Sequence, residues 1–190
     1  MKSKNLWIFA GIFLLLLGIY LSVIQHDPHF YTPFSLGLFI ISMLIYNKTT
    51  GKIAFKNWNI SKIALFFSAV LVVSILIDRM GLFLGYWIYP YYNSILDEVL
   101  KYLFEWTIPL VAYMIIFMTG KNILSKLFFV LCAGIITEYV NSFTLSWQIL
   151  KMPILDYTIG VFNMGFLTIG YWLIALIPYT IYQFVDRRVK

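Results

Sequence analysis

Six runs of apolar residues, each close to the length that crosses a bilayer, leave this chain little freedom in how it can fold. A helix spans the hydrocarbon core in about 20 mostly apolar residues. The runs are Leu6–Ile24, Phe30–Tyr46, Lys62–Ile77, Lys101–Met118, Ile123–Val140 and Val161–Val185. The second and third are short, so their ends rely on aromatic or lysine anchors. No series of segments alternates with period two, which argues against a β-barrel. Composition agrees: 62% of residues are hydrophobic and 12% charged, with mean hydropathy +0.86. A soluble domain carries about a quarter charged residues. These counts exclude a soluble enzyme, a nucleic-acid reader and a disordered chain. The expectation is a single all-α integral membrane domain over residues 1–190, a bundle of six transmembrane helices.

Charge sets the expected orientation. The first run follows Met1-Lys2-Ser3-Lys4. It is too long for a signal-peptide core and lacks a small-x-small cleavage site, so it reads as a retained helix. With the N-terminus in the cytoplasm, the inner segments hold Lys2, Lys4, Lys48, Lys52, Lys56, Lys62, Lys121, Lys126, Arg187, Arg188 and Lys190. The outer segments hold Arg79, Lys101 and Lys151. Eleven against three is a positive-inside bias. It predicts a multi-pass protein of a prokaryote-like cell membrane with both termini cytoplasmic. The net charge of +6 then faces membrane lipids, not nucleic acid.

Acids follow the opposite rule. Asp27, Asp78, Asp97, Glu98, Glu105, Glu138 and Asp156 fall on the outer side, and Asp186 alone falls inside. His26, His29 and the aromatic loop Gly85-Tyr-Trp-Ile-Tyr-Pro-Tyr-Tyr92 are outside too. Reactive groups therefore gather at one face. The inner loops read as plain connectors, and no repeat of fixed period stands out. His26-Asp-Pro-His29 offers too few ligands to fix a metal and reads as a solvated turn. Cys132 is alone in an apolar run. No metal and no cofactor are expected. Ile95–Leu100 reads as a short interfacial helix with a solvated acidic face.

Carboxylates inside spans are costly and usually face a bundle interior or a wet cavity. Asp78 ends the third run, Glu105 lies about one turn into the fourth, and Glu138 about one turn before the end of the fifth. All three sit at a similar depth. One reading is a shared cavity with Asp78, Glu105 and Glu138 as catalytic acids or bases. The other satisfies each acid locally: Asp78 with Arg79, Glu105 with Lys101 at helical spacing, and Glu138 capping or snorkelling at the interface. Trp87, Tyr89, Trp106, Pro109, Tyr113, Asn141 and Trp147 are the candidate substrate-binding residues. Trp87, Trp106 and Trp147 also suit an aromatic belt. Pro109 lies one helical turn beyond Glu105, where its missing hydrogen bond frees a carbonyl beside the acid. Trp172, Tyr171 and Tyr179 either wall a cavity or pack. Gly11, Gly18, Gly165 and Gly170 read as helix-packing sites.

One stretch has a family likeness. Asp78-Arg-Met-Gly81, Leu84-Gly85-Tyr-Trp87-Ile-Tyr89 and Phe104-Glu105-Trp106 with Pro109 resemble the integral-membrane lycopene cyclase domain of carotenoid biosynthesis. The likeness runs from Asp78 to about Met118. Where that family carries Pro-x-Glu-Glu, this chain reads Tyr102-Leu-Phe-Glu105. The resemblance implies an isomerase that cyclises a polyene end group, with Glu105 as the acid and Asp78 as a second polar position. The expected function is an enzyme acting on an apolar isoprenoid, carotenoid or lipid substrate. A small-solute transporter or substrate-binding membrane component, and a non-catalytic membrane assembly subunit, are the alternatives.

Overall fold

The computed structural model describes residues 2–91 and 94–188. Tyr92 of the aromatic loop and Lys190 lie outside the described residues, as do the side chains of Lys2 and Lys4. Helices dominate. They are α1 (Lys2–Val23), α2 (Tyr31–Thr50), α3 (Ile60–Phe83), α4 (Ile95–Leu100), α5 (Ile108–Thr119), α6 (Ile123–Asn141) and α7 (Tyr171–Arg188). A 3-10 turn (Pro28–Phe30) precedes α2. Among the described residues, six helices are long and apolar enough to cross a membrane.

Local chemistry sets several boundaries. Asn59 caps α3 by accepting the Lys62 backbone N–H. Ser94 and Asp97 form a reciprocal capping box at α4, and Asn122 and Ser125 form another at α6. α4 runs through a π-helical turn (Lys101–Thr107) straight into α5. Pro109 accounts for that turn. It has no N–H to give the Glu105 carbonyl, and its ring crowds the preceding turn. The chain widens there, and the Ile108 N–H reaches back to the Leu103 carbonyl.

α5 is the axle. Leu110, Val111, Ala112, Tyr113, Met114 and Ile115 are all buried. A helix apolar on every side belongs in the middle. α2, α6 and α7 pack around it. The outer helices instead expose large apolar side chains, such as Leu6, Phe9, Phe13 and Leu16 of α1. Hydrocarbon is the solvent that makes such a surface stable. α1 and α2 touch where Gly18 meets Phe34: a Cβ on Gly18 would lie 2.6 Å from the Phe34 Cβ. Gly18 is a packing glycine, as its sequence suggested.

Two short ribbons finish the fold. β1 (Trp87–Ile88) pairs antiparallel with β2 (Gln148–Ile149), Trp87 opposite Ile149. This ties the loop after α3 to the loop after α6. β3 (Thr158–Ile159) and β4 (Phe162–Asn163) make a hairpin. A second π-helical turn (Phe166–Gly170) leads into α7.

Several helices extend past the ends read from hydropathy. α2 continues to Thr50 and α3 to Phe83, which puts Asp78 inside its helix instead of at the tip. Ile95–Leu100 is the first turn and a half of the fourth long helix, not a separate interfacial one. The sixth begins at Phe166, and Val161 sits in the hairpin turn.

Candidate functional site

Two buried carboxylates organise the end of the bundle where the acids gather. The first is Asp78 on α3, with no exposed surface. Its Oδ1 accepts from Trp87 Nε1 (3.1 Å) and Tyr89 Oη (2.8 Å). Its Oδ2 accepts from Tyr102 Oη (2.8 Å) and faces Lys101 Nζ at 3.1 Å. Lys101 is itself 1% exposed and stacks its ammonium over the rings of Tyr89 (4.5 Å) and Tyr102 (4.7 Å). Glu98 stands 3.4 Å from the same ammonium and also pairs with Arg79. Lys101 thus turns to Asp78 and Glu98, and Arg79 to Glu98, in place of the Glu105 and Asp78 partners expected from the sequence. Burial, and then the Asp78 charge, push the Tyr89 phenol well above the usual tyrosine range. It remains a hydrogen-bond donor.

A glycine makes room for this centre. The Trp87 indole lies against Gly81, one turn along α3 from Asp78. A Cβ there would come within 2.0 Å of the ring. Trp106 Nε1 donates to Tyr89 Oη at 2.8 Å, which links the Asp78 cluster to the π-helical turn of the fourth helix.

The second centre is Glu138 on α6, also buried. Its Oε1 accepts from Trp147 Nε1 (3.1 Å) and Tyr171 Oη (2.8 Å). Asn141 donates to the Trp147 carbonyl at 2.9 Å and so fixes the loop that delivers the indole. The Tyr171 ring lies over Gly134, one turn back on α6, where a Cβ would sit 2.8 Å away. Tyr31 packs edge-on against Trp147 with ring centres 4.8 Å apart. Tyr113 packs against Tyr171 at 5.0 Å and shares a hydrogen bond with Thr137.

Between the centres lies a cavity of about 50 Å³. Glu105 and Glu138 both line it, with Trp87, Tyr89, Trp106, Pro109, Tyr113 and Trp147 among its walls. These are eight of the ten residues singled out from sequence. The other two stand behind the wall: Asp78 holds Trp87 and Tyr89, and Asn141 holds Trp147. Tyr31, Leu110, Ile149, Phe166, Tyr171 and Ile174 complete the lining. Tyr171 was recognisable as an aromatic deep in the sixth run. Tyr31 carried no local signal, because its place depends on a ring more than a hundred residues away.

Both π-helical turns feed the cavity, one through Glu105 and Trp106, the other through Phe166. Such turns recur at functional sites because they re-aim side chains at a local cost in helix geometry. A space of 50 Å³ holds a few waters or one small chemical group. Elsewhere, His26 Nδ1 lies 3.0 Å from the Phe143 carbonyl, and the histidine turn docks against the α6 loop. Among the described residues, no group of three or more His, Cys, Asp or Glu is placed to hold a metal ion. Trp172 packs with the α5–α6–α7 core, and Tyr179 packs against Phe117.

Comparison with protein-family models, with curated proteins and with solved structures found no match.

Proposed function

We propose that this chain is a membrane enzyme that isomerises the end group of an isoprenoid or similar apolar substrate by proton transfer. One observation carries the reading: Glu105 and Glu138, from two different helices, meet in a single aromatic-walled cavity. Glu105 gives a proton to a terminal alkene carbon, and a tertiary carbocation forms at its neighbour. The π-faces of the surrounding tryptophans and tyrosines stabilise that charge. A second alkene closes on the cation to form a ring. Glu138, held in place by Trp147 and Tyr171, takes up the proton lost from the adjacent carbon. Atoms balance, since one proton enters and one leaves. The cavity of about 50 Å³ admits the terminal branch that takes the proton; ring closure requires its aromatic walls to part, and the long tail of the substrate stays in the bilayer.

The lycopene cyclase likeness of Asp78–Met118 supports the same class of reaction. Within this reading Asp78 is a positioning residue for Trp87 and Tyr89. The lysine-rich end faces the cytoplasm, with both termini there, and the cavity lies toward the opposite surface. Single-cysteine labelling of intact cells at positions 57 and 153 checks that orientation.

The activity is tested by expressing the chain in a lycopene-accumulating host and analysing the extracted pigments. The expected result is a cyclised product from the wild type and none from Glu105→Gln. Unchanged lycopene from a correctly inserted wild-type protein would overturn cyclisation of this substrate.

A further inference from the structure

A second and much larger space lies at the opposite, lysine-rich end. α2 and α6 both pack on α5 but scarcely touch one another. They are joined through their neighbours at the acid-rich end, where Ser22 donates to the Val140 carbonyl and Ser146 to the Pro28 carbonyl. The crevice left between them measures about 810 Å³. Its depth is walled by Leu38 and Ile45 of α2, Ile116 of α5, and Phe129, Ala133 and Ile136 of α6. Ile45, Phe129 and Ile136 are each more than a third exposed, so it opens sideways as well as at its end.

The polar residues of the lining are sorted. Thr49, Thr50, Thr119, Lys121, Asn122 and Ser125 form the mouth. Below them the walls are apolar apart from Ser42, whose hydroxyl donates to the Phe39 carbonyl. No acid is among the lining residues, and Lys121 is exposed. Lys48, one residue from Thr49, is exposed as well.

From these features we infer that the crevice binds one anionic phospholipid, its acyl chain between α2 and α6 and its phosphate beside Lys121. Length supports this occupant. From Ser125 to Ile136 along α6, or from Leu38 to Thr49 along α2, a helix rises about 16 Å. That is about half the hydrocarbon thickness, the depth of one leaflet. The volume lies in the range of ordinary ligand sites. A water-soluble solute would find polar anchors only at the rim. A lipid satisfies both the rim and the walls. This site stands apart from the proposed catalytic cavity and does not depend on it.

The test is native mass spectrometry of the full chain in detergent, titrated with palmitoyl-oleoyl phosphatidylglycerol or phosphatidylcholine. One phosphatidylglycerol should be retained about fivefold more tightly than phosphatidylcholine, and Lys121→Gln should erase that preference, the weight of one lysine beside an anionic headgroup. Ala133→Trp and, on the facing wall, Ile45→Trp should each abolish saturable retention of either lipid. Circular dichroism identifies whichever blocked variant keeps the wild-type helix content. Equal retention of both lipids by the wild type would overturn the inference. So would undiminished phosphatidylglycerol binding by a folded blocked variant.

Discussion

Asp78 and Glu138 are built by the same device and end in different states. Each is a buried acid on a helix. Each accepts a hydrogen bond of 3.1 Å from the indole of a tryptophan nine residues further along, Trp87 or Trp147. Each has a glycine one turn away on its helix that seats an aromatic donor, Gly81 under Trp87 and Gly134 under Tyr171. The two returning loops then pair as β1 and β2. The difference is the cation. Lys101 closes on Asp78, and three further donors complete the shell. Glu138 has no lysine or arginine among its described salt-bridge partners, and it lines the cavity. One acid is enclosed by its partners, and the other lines a cavity.

The largest effect should come from breaking the closed centre. Lys101→Met leaves the Asp78 charge buried without its counter-ion. The expected loss of stability is about 3–5 kcal/mol. Unfolding of the purified protein in mixed micelles measures it. Asp78→Asn combined with Lys101→Met should recover part of that loss, because both charges are then gone. A full loss in the double variant would show that shape and not charge holds this corner.

The open centre should respond in the other currency. Glu138→Gln keeps size and most of the hydrogen-bonding capacity, so stability should shift by less than about 1 kcal/mol. Turnover in the pigment assay should fall by about a hundredfold or more, the usual weight of a general acid or base. Asp78→Asn alone should do the reverse and cost stability first. If both variants lost stability equally with turnover intact, the contrast between the centres would disappear.

How much of this was readable beforehand follows the reach of each interaction. The helices were legible because hydropathy is local and continuous. The acids and tryptophans were legible as costly or amphipathic residues in the wrong solvent. The pairing was not. A spacing of nine matches neither a helix turn nor a strand alternation. It has meaning only once the loop folds back over Gly81. The expected Lys101–Glu105 contact rested on regular helical spacing. Pro109 breaks that regularity by forcing the π-helical turn, and Lys101 is found on Asp78 instead. The same proline brings Glu105 to the cavity wall. In the sequence it signals a freed carbonyl, but its larger effect is on the turn before it.

A smaller effect tests the two glycine seats. Gly81→Ala must displace an indole that is hydrogen-bonded to Asp78, since the added Cβ would lie 2.0 Å from the ring. The expected cost is about 1–3 kcal/mol. Gly134→Ala meets the Tyr171 ring at 2.8 Å and should cost less. Unfolding midpoints of the two variants, measured side by side, give the order. A larger cost at Gly134 would mean that the Glu138 centre is the more rigid of the two.

The smallest effect separates the centres most finely. Trp87→Phe and Trp147→Phe each delete one N–H donor while keeping an aromatic ring. A hydrogen bond to a charged group is worth about 1.5–3 kcal/mol, and a neutral one about 1 kcal/mol. At Asp78 the lost donor leaves Tyr89, Tyr102 and Lys101 in place, so the carboxylate stays satisfied. At Glu138 it leaves Tyr171 as the remaining donor on Oε1. Trp147→Phe should therefore perturb its acid more than Trp87→Phe, although the two bonds have the same length. An isotope-edited infrared band for the Glu138 carboxyl should shift in Trp147→Phe and stay fixed in Trp87→Phe. Equal shifts in both variants would mean that the paired β1–β2 loops transmit strain from one centre to the other, and that the two acids act as one unit.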